Sequence, residues 1–125
     1  ILEQREADLE QIKVICESGL HERFNYANEL AARFFRDRES TKELLYLWLR
    51  WWRDLILIKE GAEEYVQNPD EIVRLRLQAT QLNTLQIIGF VKSLNLTLEA
   101  LDSNANARLA LEVLMLNLPG VNIRV

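Results

Sequence analysis

The chain has one cysteine, Cys16, and one histidine, His21, close together in the sequence, the residue types of a thiolate nucleophile and its base. Their placement argues against that chemistry. Leu9, Ile12, Cys16 and Leu20 recur at steps of three or four, which puts Cys16 on the apolar face of a helix. His21 falls in or just after the turn that ends the helix, so Cys16 reads as a small core residue and His21 as a helix-end or surface residue. One Cys and one His also cannot supply the ligand set of a structural zinc. Glu63/Glu64 and Asp70/Glu71 are pairs that could divide general acid and base work, but both lie where a helix terminus attracts acids. The four glycines are scattered and none precedes a Lys-Ser or Lys-Thr pair as in a phosphate loop. Arg33, Arg36, Arg38, Arg50 and Arg53, interleaved with Phe34, Phe35, Trp48, Trp51 and Trp52, have the residue types of a nucleic-acid platform. A formal net charge of -4 and mainly inward aromatics oppose that reading. The expectation is therefore no catalytic residue, no cofactor, no metal and no direct nucleic-acid binding.

The elements that carry these residues follow from composition and period. The chain has 125 residues, 49% hydrophobic and 27% charged, enough to bury one core without disulfides. Four Gly and two Pro leave few places for turns, which favours long helices over a β-sandwich. No run approaches the roughly 18 apolar residues of a membrane span; the richest, Leu109 to Leu118, is broken by Glu112 and Asn117. The first residues, Ile1 to Glu6, read as helix rather than as a signal peptide, which predicts a domain cut from a longer chain in a reducing, cytoplasmic compartment.

Six helices are expected in a single all-α bundle. The first starts near residue 3 and stops at Gly19, taken as a left-handed C′ residue. The second runs from about His21 to Arg36 with Phe24, Ala27, Ala31 and Phe34 inward. Ser40-Thr41-Lys42-Glu43 fits a capping box for a third helix that reaches Glu60 before Gly61. This third helix carries leucines, isoleucines and all three tryptophans around most of its circumference, leaving a polar stripe of Glu43, Tyr46, Arg50, Arg53 and Asp54. Asn68-Pro69 opens a fourth helix with Ile72, Leu75, Ala79 and Leu82 inward. Asn83-Thr84-Leu85-Gln86 is a second capping box, beginning a helix whose inward residues are Ile87, Ile88, Val91, Leu94, Leu98 and Leu101, with Gly89 expected at a close helix crossing. The sixth runs from about Ala107 to Leu118 and ends at Pro119-Gly120, followed by the tail Val121 to Val125.

Two stretches resemble a known family. Trp48-Leu49-Arg50-Trp51-Trp52-Arg53-Asp54-Leu55-Ile56-Leu57-Ile58-Lys59-Glu60-Gly61 is similar to the W-x-R-D-L-L-L-x-K-x-G pattern in the C-terminal domain of the bacterial DNA polymerase III delta-prime subunit. Asn104-Ala105-Asn106-Ala107-Arg108-Leu109-Ala110-Leu111-Glu112-Val113-Leu114-Met115-Leu116 resembles the N-x-N-P-R-L-A-L-E-x-L-L-L signature near the end of clamp-loader subunits, shared with gamma/tau, with Ala107 where the family usually has Pro. The resemblance implies a collar domain that holds AAA+ modules in a ring for sliding-clamp loading, with gamma/tau and delta as partners and no catalytic residue of its own. It also implies a partner surface on the fifth and sixth helices, for which Arg108, Glu112 and Met115 are the candidate residues. Competing readings of the same composition are an unrelated helical adaptor or regulatory domain and, more distantly, a small helical enzyme using a carboxylate pair.

Overall fold

The computed structural model describes residues 2–120 except Asn104, so the tail from Val121 to Val125 and the first Asn of the second motif lie outside the described residues. Within them the chain is helical throughout, with six α-helices and no strand: α1 (Leu2–Cys16), α2 (Leu20–Arg36), α3 (Arg38–Lys59), α4 (Ile72–Thr80), α5 (Thr84–Asp102) and α6 (Ala107–Asn117). Two single 3₁₀ turns, Glu63–Tyr65 and Pro69–Glu71, bridge α3 to α4.

The architecture follows from α3. Leu44, Leu45, Leu47, Trp48, Leu49, Trp51, Trp52 and Leu55 are all buried, so neighbours must cover this helix on several sides. Each tryptophan meets a different neighbour. Trp48 Nε1 donates to Tyr26 Oη of α2 at 3.0 Å, and Trp51 Nε1 donates to Gln78 Oε1 of α4 at 2.8 Å. The Trp52 ring lies 4.6 Å, centroid to centroid, from Phe90 of α5. The polar tips of Trp48 and Trp51 find partners while the rings stay dry, which is how a buried indole avoids an unsatisfied N–H. α6 does not lean chiefly on α3; it packs against α2 and α5 and closes the bundle.

The helix ends differ from the sequence reading in instructive ways. Gly19 is not left-handed: its φ is -86° and it precedes α2 as the N-cap, because Glu17 N–H and Ser18 N–H close the last turn of α1 onto Val14 and Ile15 carbonyls. α3 begins two residues before Ser40, capped by Asp37, whose carboxylate accepts from Ser40 N–H at 3.1 Å. The Ser40 hydroxyl accepts from Arg33 instead. A single residue, Asp37, thus makes the α2–α3 corner. The Pro69 segment is a 3₁₀ turn, and the Asn68 side chain donates to Asp54 rather than capping a helix.

Other local signals hold. Gly61 has φ +76°, and the pair Ala62 N–H to Leu57 O with Gly61 N–H to Ile58 O forms a Schellman end for α3. Both halves of the Asn83/Gln86 capping box are present. Asn106 also caps α6 by accepting from Leu109 N–H. Gly89, by contrast, is exposed with no atom near the position of a Cβ, so no helix crosses there, and Ile88 faces outward. Phe90, one helical position beyond Gly89, takes the inward place.

Trp48, Leu55, Leu111 and Leu114 are fully buried. Leu111→Ala should therefore lower stability by about 2–5 kcal/mol through lost transfer energy plus the cavity left between α6 and its neighbours. Urea unfolding followed by tryptophan fluorescence measures it; a loss under about 0.5 kcal/mol would contradict the core position, since that is the scale of neutral surface changes.

Candidate partner interface

The residues that could do chemistry are brought to quiet places. Cys16 is buried, and burial pushes its thiol up to about 11, although Gln78, Trp52 and the Arg23 charge act in the opposite direction. His21 is exposed at the start of α2, its Nε2 3.3 Å from Asn25 Nδ2. The carboxylate pairs are divided among partners rather than facing a common space. Glu63 is held by Arg76 through two hydrogen bonds of 2.7 and 2.6 Å, which pull its carboxyl below the usual range. Glu71 reaches back to Lys13 at 3.0 Å. Lys13 is buried; burial opposes its charge, but the hydrogen bonds to Glu10 and Glu71 outweigh that and raise its pKa. Among the described residues no three His, Cys, Asp or Glu side chains gather as a metal site would need.

The arginine and aromatic set is also dispersed. Arg33 pairs with Asp8 through two contacts of 3.0 and 3.1 Å and also holds Ser40, tying α1, α2 and α3 together. Arg38 lies 4.5 Å over the Phe34 ring and donates to Leu101 O. Trp48, Trp51 and Trp52 are core, while Phe35 projects into solvent. Only Arg36, Arg50 and Arg53 of this set make no ion pair or hydrogen bond among the described residues.

Two residues carry more of the structure than the sequence suggested. Asp54, assigned to the polar stripe, is fully buried: Oδ1 accepts from Gln67 N–H at 2.8 Å, and Oδ2 from Asn68 N–H and Nδ2–H at 2.9 Å each. Arg23 is 1% exposed and, among the described residues, has no carboxylate partner and no partner for Nε; Nη1 donates to Leu118 O at 2.7 Å and Nη2 to Cys16 O at 3.5 Å. Burial lowers its pKa, and the two carbonyls it meets belong to the C-terminal ends of α6 and α1, where helix dipoles concentrate negative charge. The signal for Arg23 was present in its spacing to Tyr26, Ala27, Leu30 and Phe34, which places it on the apolar face of α2.

The candidate interface on α5 and α6 is partly corrected. Met115 is fully buried, on the same side of α6 as Leu111, Leu114 and Leu118, and cannot be a surface contact. The apolar positions facing solvent are Leu109, Val113 and Leu116, at 56%, 45% and 57% exposure and spaced by four and three along one face. Arg108 and Glu112 flank that face and pair within the helix, Nε to Oε2 at 3.4 Å. On α5 the outward apolar residues are Leu85, Ile88 and Leu96. Adjacent helices that keep apolar stripes on their solvent side have the make-up of a protein-binding surface.

The described residues form an all-helical bundle with a buried thiol, ion pairs that join helices, and apolar stripes on the solvent side of α5 and α6. The chain belongs to the family described as DNA polymerase III, delta subunit, C terminal, whose sequence model matches residues 3–119, and so is a domain of a clamp-loader subunit. The match is to the delta subunit and not specifically to the delta-prime type that the first motif implies. No curated protein and no solved structure matches the chain. No helix among the described residues is long and apolar enough to cross a membrane.

Two outcomes follow from the buried groups. Asp54→Ala removes the acceptor for two backbone N–H groups and one amide, and should cost about 2–3 kcal/mol, the scale of charge-assisted hydrogen bonds partly regained by water. Amide exchange at Gln67 and Asn68 should accelerate more than in α5; unchanged exchange there would sink the tethering role. Because folding keeps the Cys16 proton on to about 11, the unfolded chain binds fewer protons once pH passes the ordinary thiol value of 9.0, and stability must fall between those limits. Cys16→Ala should lack that component when the two stability curves are subtracted, leaving the Tyr and Lys contributions common to both.

Proposed function

We propose that this chain is the collar-type oligomerisation domain of a clamp-loader subunit of the delta-prime type, part of a longer cytoplasmic protein, and that it contributes association rather than catalysis. Membership of the polymerase III delta family carries the reading. The tryptophan-rich motif favours the delta-prime type, and its parts have work in the fold: Leu55 is core, Asp54 anchors the backbone at Gln67 and Asn68, and Gly61 ends α3. Gamma/tau and delta are the proposed neighbours, meeting the outward stripes of α5 and α6.

Physical chemistry supports the location. Leu109, Val113 and Leu116 expose apolar surface that the chain itself leaves uncovered, and desolvating such a stripe against a neighbour is favourable by about 25 cal/mol per Å² before ordering costs. The Arg108–Glu112 pair at its edge fits a polar rim, where it sets orientation more than strength.

Leu109→Glu and Val113→Glu, both at exposed positions, should leave the helical circular dichroism spectrum and the urea midpoint nearly unchanged. Each should weaken assembly with gamma/tau and delta by at least about tenfold, the cost expected when a charge is buried at an interface. Size-exclusion chromatography of the mixed proteins reads this. Full co-elution of both variants with native spectra would remove α6 from the interface.

A further inference from the structure

A cleft of about 480 Å³ lies between α3 and the segment from Tyr65 to Gln67, on residues that belong to neither α5 nor α6. One wall is a line along α3: Tyr46, Arg50, Arg53 and Leu57, at steps of four, three and four. Tyr65, 70% exposed, forms the opposite rim, and Leu49 contributes to the floor.

The charged residues that line the cleft are two arginines, Arg50 and Arg53, and one carboxylate, Asp54. Asp54 lines it, but both carboxylate oxygens are taken by donors from Gln67 and Asn68, which also fixes the far wall. Glu63 is drawn away by Arg76. Lys13, Arg33, Lys42, Arg74, Arg76 and Arg108 have carboxylate partners; Arg50 and Arg53, like Arg36, have none among the described residues, and these two share one cleft. On a chain of net charge -4, two free guanidiniums one helical turn apart, set between tyrosines and leucines, form a local positive, half-apolar groove.

We propose that this groove docks an acidic segment of a partner protein in which carboxylates alternate with aliphatic or aromatic side chains. Arg50 and Arg53 each present a planar fork suited to a carboxylate, and Tyr46, Tyr65 and Leu57 cover the apolar side chains between them. A nucleic acid is disfavoured because two phosphate contacts on an acidic domain release too few counterions for useful affinity. The site shares no residue with the α5 and α6 stripes, so it stands or falls independently of the oligomerisation reading.

The test titrates the isotope-labelled chain with a short peptide alternating Glu and Asp with Leu and Phe, with the same peptide carrying Lys at the acidic positions, and with oligo(dT). The acidic peptide should shift resonances of Tyr46, Arg50, Arg53 and Tyr65 and leave those of α6 in place. Arg50→Glu with Arg53→Glu should weaken this binding by about tenfold or more, Tyr65→Ala by several-fold, and Arg36→Glu on a remote exposed turn should have no effect. Circular dichroism checks that each variant is folded, and the exposed Tyr65 variant serves if the double reversal is not. Absence of binding, equal binding of the Lys peptide, undiminished binding by the folded variants, or shifts produced only by oligo(dT) would each overturn the proposal.

Discussion

Burial of α3 is the constraint on which the rest of the molecule depends. A helix with eight large apolar side chains and a threonine inside cannot sit on a surface; it needs cover on three sides. α2, α4 and α5 supply that cover, and the tryptophans assign one neighbour to each side through Tyr26, Gln78 and Phe90. For Trp48 and Trp51 the single polar tip demands a partner in one direction and so fixes orientation as well as burial, whereas Trp52, whose Nε1 has no hydrogen-bond partner among the described residues, is placed by ring packing alone.

Once α3 is central, polar groups become buried that an isolated amphipathic reading would leave in water. Arg23 and Asp54 are the clearest cases, and among the described residues neither is paired with an opposite side-chain charge. Arg23 is offset by the carbonyl ends of α1 and α6, and Asp54 by three N–H donors from Gln67 and Asn68. Both therefore tie segments remote in sequence, Arg23 joining α2 to Leu118 and Asp54 joining α3 to the approach to α4. Such contacts do not add much net stability over apolar substitutes, but leaving them half made is costly, so they favour one arrangement of the chain over its alternatives.

The functional character follows from what this core leaves outside. α5 and α6 each turn one stripe inward and still hold leucines on the opposite side, and α3 leaves Tyr46 exposed and Leu57 half-buried beside Arg50 and Arg53. In the function we propose, that surplus surface is what meets the other members of a clamp-loader assembly.

Period and capping are local properties, and they were enough to establish the helical class, the largely apolar circumference of the tryptophan-bearing helix, and the ends marked by Gly61 and by Asn83 with Gln86. They were not enough where distant groups compete. Asp37 displaced Ser40 as a cap because Arg33 occupies the Ser40 hydroxyl, and Asn68 serves Asp54 rather than a helix start. Met115 went inward and Leu109, Val113 and Leu116 outward because α6 must meet both α2 and α5, and a helix apolar around much of its circumference does not itself specify which side is covered. The rotation of α6, the burial of Arg23 and Asp54, and hence the surfaces left for partners, were decided only when the helices packed.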